Sequence, residues 1–182
     1  EDDFAGLRSR VREKLAEMWG AFPERTPLNA RQVGVVDRGD YVVERILFES
    51  RPDFPVTANL YRPKEADGKL PAVIFPCGHT DNGKAGDTYQ QFSILTARQG
   101  FAVLTWDPLS QGERLQLWDS ENQASLVGAG TAEHRVLGNQ CYLLGTNLMQ
   151  YRVWDAVRAL DYLETRADVD ATRLGIAGQS GG

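Results

Sequence analysis

Apolar positions along the chain change their spacing twice. Residues 4–18 place Phe4, Leu7, Val11, Leu15 and Met18 three and four apart with charges between them, the pattern of an amphipathic helix. Pro23 and Pro27 close it. Tyr41 to Glu49 and Pro55 to Tyr61 are β-branched, aromatic-rich runs separated by Ser50-Arg51-Pro52-Asp53, which predicts an antiparallel pair with a short connection. From Leu70 onward the strands become continuously apolar and alternate with helices. Ala72 to Phe75, Phe101 to Trp106 and Arg173 to Ala177 read as buried strands. Helices are expected over Thr88 to Arg98, closed by Gly100, and over Leu148 to Arg166. The second of these helices should bury Met149, Val153, Ala156, Val157, Leu160 and Leu163 on one face. Apolar strands joined by helices mean a parallel sheet covered on both faces, an α/β fold. Residues 115–145 show no period, and an irregular, lid-like insertion is expected there.

At 182 residues the chain is one ordinary domain, and 42% hydrophobic with 25% charged residues excludes wholesale disorder. Residues 1–30 read as an accessory N-terminal helical segment, and 31–182 as the α/β unit. Twenty-five Asp and Glu against twenty Lys and Arg leave a net charge of −5. With no basic stripe, nucleic-acid binding is disfavoured. The longest apolar runs are of strand length, far below the ~20 residues of a membrane span. Cys77 and Cys141 fit no zinc spacing; a single bridge between them is open, and two buried thiols are the preferred reading. Position 1 is Glu rather than Met, which leans toward an exported, periplasmic or secreted, processed protein.

The chemistry concentrates at Gly178-Gln179-Ser180-Gly181-Gly182, directly after an expected buried strand. A Gly-x-Ser-x-Gly turn in that context holds its serine in a strained conformation with Oγ pushed outward. Glycines at 178 and 182 leave room for the backbones on either side. Ser180 would stand at the C-terminal edge of the sheet, where open α/β sheets bind ligands. A glycine-rich corner without catalytic meaning is the plainer alternative.

Three segments resemble the α/β-hydrolase superfamily, in particular its acetyl xylan esterase and dienelactone-hydrolase-like branch. They are Leu70-Pro71-Ala72-Val73-Ile74-Phe75-Pro76-Cys77-Gly78-His79, the stretch from Val103 through Asp107 and Gly112 to Arg114, and the run from Tyr151 through Asp155 and Asp161 to the Ser180 turn. The resemblance implies the N-terminal part of an α/β-hydrolase fold, with Ser180 as nucleophile. It also implies an oxyanion hole formed by the backbone N–H groups of Gly181 and His79. The order in such enzymes is Ser, then acid, then His. Both histidines here, His79 and His134, precede Ser180, so the triad acid and histidine are expected outside the 182 residues.

Other groups have plainer readings. His134 is expected to be a histidine of the lid, with a substitute base the alternative. Asp107 should fix its own turn through Gly112 and Arg114. Arg152, Asp155, Arg158 and Asp161 read as an ion-paired, solvated helix face. His79 with Asp81 lacks a third ligand, and Gly83-Lys84 lacks the spacing of a phosphate loop, so neither metal nor cofactor is expected. The resulting expectation is a serine hydrolase acting on short-acyl, acetyl-type esters of carbohydrates or small molecules. A prolyl-oligopeptidase-like peptidase and a non-catalytic binding protein are the alternatives. Nothing in the sequence sets an oligomeric state.

Overall fold

The structure, a computed structural model, describes residues 2–182. The elements run α1 (Asp2–Trp19), β1 (Arg31–Asp37), β2 (Tyr41–Arg51), β3 (Phe54–Pro63), β4 (Leu70–Ile74), α2 (Asp87–Arg98) and β5 (Ala102–Trp106). There follow β6 (Trp118–Asp119), β7 (Ala124–Ser125), α3 (Thr131–Leu143), α4 (Leu148–Thr165) and β8 (Val169–Ile176).

Six strands form one sheet in the order β1-β2-β3-β5-β4-β8. The β1-β2, β2-β3 and β3-β5 pairs are antiparallel, whereas β4 pairs in parallel with both β5 and β8. The chain therefore leaves β4 for β5 on one side and returns to β8 on the other. A reversal of that kind opens a crevice at the C-terminal ends of β4 and β8, the usual ligand position of an open α/β sheet.

Apolar clusters fill both faces. Ile46, Phe48, Leu60 and Leu104 of the sheet cluster with Tyr162 and Leu163 of α4, while Tyr41, Tyr61, Phe75 and Val103 cluster with Tyr89 of α2. Every residue of β5 is buried, as a central strand covered twice requires. Full burial of a Leu or Phe side chain contributes about 1.5–3 kcal/mol, so β5 and its neighbours anchor the layer. Gly100, at φ +89°, ends α2 in the left-handed region open to glycine, and the Asn147 side chain caps α4 by accepting from the Gln150 N–H at 2.9 Å.

The structure corrects several expectations. Strand β1 has no counterpart in the sequence pattern, because an exposed edge strand carries too few apolar positions to show a period. Residues 115–145 are not irregular throughout: they hold the β6-β7 hairpin and α3. Helix α3 faces inward through a polar residue, Glu133, which is fully buried and accepts from Ser125 Oγ at 2.7 Å and the Leu117 N–H at 3.3 Å. Hydrophobic periodicity cannot register such a face. Helix α4 is rotated from expectation, burying Trp154, Ala159, Tyr162 and Leu163 while Met149 is half exposed. Strand β8 is mostly exposed rather than buried, because among the described residues only β4 pairs with it. Both cysteines are free thiols; Cys77 is buried and Cys141 half-buried.

Candidate active site

Ser180 has φ +57°, a left-handed conformation that costs a side-chain-bearing residue about 1–2 kcal/mol. The Gly182 N–H closes the turn by donating to the Gln179 carbonyl at 2.9 Å, and the Ala177 N–H ties the strand end to the Ile74 carbonyl at 3.1 Å. Neighbouring glycines are there because backbone crosses backbone. A Cβ on Gly178 would meet the Gly182 carbonyl, and one on Gly182 would meet the Pro76 carbonyl. A Cβ on Gly78 would strike the Gln179 carbonyl and come within 3.1 Å of Ser180 Cβ. The loop after β4 and the turn after β8 thus interlock, which brings Ser180, Gly181 and His79 together. Gly181 lies against the His79 ring: a Cβ there would sit 2.7 Å from His79 Cε1.

The two histidines, 55 residues apart, are paired. His79 Nε2 is 3.0 Å from His134 Nδ1, and His134 Nε2 is 2.6 Å from the Leu109 carbonyl. A carbonyl only accepts, so His134 Nε2 carries the proton and donates. Neutral His134 then accepts at Nδ1 from His79 Nε2–H, leaving His79 Nδ1 unprotonated. Burial, reinforced by the Arg152 guanidinium, holds both imidazoles below their ordinary pKa and so favours these neutral forms. The hydrogen bonds of the two rings run to each other and to Leu109 rather than to Ser180. His134 is half-buried on α3.

Asp107 fixes the turn after β5, as its position suggested. Its carboxylate accepts from Thr57 Oγ1 (2.7 Å), the Lys84 N–H (2.8 Å), the Glu113 N–H (3.2 Å) and the Lys84 ammonium. Arg114 donates to the Asp107 carbonyl at 2.9 Å and forms a buried ion pair with Asp155 at 2.7 Å. The solvated charge face expected on α4 is therefore a correction: Asp155 and Arg158 are buried. Arg158 pairs with Asp161 and donates to the Thr26 carbonyl. Arg114 and Thr26 come from distant segments, which spacing along one helix cannot show, whereas the Arg158–Asp161 pair is the i,i+3 contact that the spacing suggests. Arg152 also has a site role unseen in sequence. Its Nη2 donates to the Gly181 carbonyl at 2.7 Å and more weakly to the Cys77 carbonyl at 3.4 Å, spanning the two interlocked loops.

Beside the turn lies a cavity of about 430 Å³ lined by Ser180, Gly181, Trp106, Pro108, Arg152 and Val153, among others. A second, of about 360 Å³, is lined by His79 and His134 together with Thr131 and Tyr142. Among the described residues no group of three His, Cys, Asp or Glu side chains could hold a metal ion, and no helix is long and apolar enough to cross a membrane.

A mixed sheet with helices on both faces, a strained serine after its edge strand and an interlocked loop after β4 define the N-terminal part of an α/β-hydrolase fold. Comparison with known proteins makes the assignment narrower. Residues 31–182 match the acetyl xylan esterase (AXE1) family, and the chain belongs to it. YtaP of Bacillus subtilis (strain 168), named as a hydrolase, is 27% identical over 97% of this chain and 57% of its own length. The crystal structure of a protein described as an acetyl xylan esterase from Bacteroides fragilis NCTC 9343 superposes with a TM-score of 0.82 at 18% identity, over 98% of this chain and 48% of that one. Methylesterase BT1017 is 26% identical with a TM-score of 0.62, over 97% of this chain and 35% of its own. The chain thus spans about half the length of the curated relative and of the Bacteroides fragilis protein.

Proposed function

We propose that this chain carries the nucleophile and oxyanion hole of a serine esterase that removes short acyl groups, acetyl above all, from carbohydrate. Membership of the acetyl xylan esterase family supports the substrate class. The observation that carries the mechanism is Ser180 at φ +57° beyond β8, with Gly181 packed against His79 of the facing loop. In that reading Ser180 Oγ attacks the ester carbonyl carbon and gives its proton to a base. The developing alkoxide is stabilised by the backbone N–H groups of Gly181 and His79, and losing one such donor costs about 2.7–4 kcal/mol. The C–O bond to the sugar breaks, the sugar oxygen takes up the proton, and an acyl-Ser180 remains. Water attacks that ester with the same base, releasing the acid and restoring Ser180. Neither histidine of the 182 residues hydrogen-bonds Ser180, so the base is a group other than His79 and His134 in their observed pairing.

The test is a fluorophosphonate probe applied to the intact protein, with acetate release from acetylated xylan measured in parallel. Labelling on the Ser180 peptide, lost in Ser180→Ala together with at least about 10⁴-fold in acetate release, is the expected result. An unlabelled Ser180 in folded, intact protein would instead mean a binding protein that keeps the turn as structure. Labelling with peptide cleavage and no acetate release would point to a peptidase.

A further inference from the structure

Gln111 lies in the turn after β5, outside the serine motif, and is fully buried. Its Nε2 donates to the Gly78 carbonyl at 2.8 Å. That carbonyl and the His79 N–H belong to the same peptide unit, and no peptide bond among the described residues is cis. In a planar trans peptide the N–H points opposite to the C=O, so fixing one fixes the other. We propose that Gln111 is a positioning residue, one that aims the His79 N–H into the oxyanion hole by pinning the Gly78 carbonyl behind it. The inference rests on the esterase reading and deepens it.

Position 78 explains the need. Glycine is required there by the close approach of the Gln179 carbonyl, and Tyr89 Oη lies 2.8 Å from where a Cβ would be. Glycine is also the residue whose flanking peptide rotates most freely. Left alone, the 78–79 peptide could turn its N–H away from a substrate at little cost. A buried donor on its carbonyl removes that freedom before substrate arrives, which is what electrostatic preorganisation demands. The turn that presents Gln111 is itself rigid. The Ser110 N–H donates to the Arg114 carbonyl at 2.8 Å, and the Gly112 N–H to the Asp81 carbonyl at 2.9 Å. Ser110 is held at φ +70°, and the Gln111 N–H reaches the Pro108 carbonyl at 3.2 Å. Oε1 of Gln111 accepts from no donor among the described residues, so the contact to Gly78 is what this buried amide contributes.

The experiment compares Gln111→Met, close in volume but without a donor, with the wild-type intact protein on 4-nitrophenyl acetate. The expected result is a fall of roughly 10–100-fold in kcat, below the loss of a whole oxyanion donor, with KM within about twofold. The rate of fluorophosphonate labelling at Ser180 should fall in parallel, since that adduct uses the same hole. Should Gln111→Met fail to fold, Gln111→Glu serves. Its carboxylate cannot donate and its protonated form can, so its kcat relative to wild type should rise as pH falls. A Ser180-labelled variant as fast as wild type per folded molecule, or a Gln111→Glu ratio flat with pH, overturns the role of Gln111 and leaves the esterase reading standing. An unlabelled wild-type Ser180 would remove the esterase reading, and the role of Gln111 with it.

Discussion

The turn after β5 and the turn after β8 stand at the same end of the sheet, within reach of the same cavity, and are held by different forces. Around Asp107 every carboxylate oxygen is engaged, a buried lysine supplies compensating charge, Arg114 holds the main-chain carbonyl, and Thr57 ties the cluster to β3. Around Ser180 the restraint is steric. Glycines admit crossing backbones, one arginine spans the loops, and the serine sits in a strained conformation. Charge networks of the first kind rigidify a scaffold, and one missing partner leaves the others buried and unpaired. Strain of the second kind persists only because such a scaffold overdetermines it. The Gln111 amide connects the two, reaching from the locked turn to the loop that faces the serine.

The contrast predicts opposite signs for substitutions at the two turns. Asp107→Ala strands two backbone N–H groups and leaves the buried Lys84 ammonium only the exposed Glu113 carboxylate at 2.6 Å, and should cost about 3–5 kcal/mol in urea unfolding. A loss under about 1 kcal/mol would show the network to be dispensable and erase the comparison. Ser180→Gly should instead stabilise the fold by roughly 0.5–1 kcal/mol, because glycine adopts the left-handed conformation without a Cβ clash, while the nucleophile is lost. A destabilised Ser180→Gly would mean that the turn holds no strain.

The smallest effect expected is on the pH dependence. His79 and His134 are held below the ordinary value of 6.5 by burial, with Arg152 adding to it. The unfolded chain therefore binds protons first as pH falls. The stability associated with the neutral pair is complete above pH 6.5 and is lost as pH falls below it toward the depressed folded values. Solvent screening of the exposed His79 keeps this the smallest of the effects. Unfolding measured on both sides of pH 6.5 should show a shallower slope in His134→Gln than in wild type, and equal slopes would separate the pair from stability.

Much of the architecture is legible in the chain. Runs such as Ala72 to Phe75 and Phe101 to Trp106, with Gly100 between them, announce strands and a helix end through side-chain burial and a left-handed cap, both local properties. The serine turn is legible for the same reason, since its glycines answer a backbone crossing that recurs wherever a strand turns sharply into the next element. Helix α3 is hidden because Glu133 fills an inward position usually held by an apolar residue. The charges of α4 mislead because Arg114 lies 41 residues from Asp155.

Strands β2 to β5, helices α1, α2 and α4, the serine turn and the family can be read from the order of residues alone, because each shows in local patterns of neighbours a few positions apart. Which polar groups meet is decided in three dimensions. The fold pairs His79 with His134, buries Asp155 against Arg114, sets Arg152 across the two loops and places Gln111 behind the His79 peptide. Hydrogen bonds and ion pairs depend on distance and direction in space, and sequence separation carries neither.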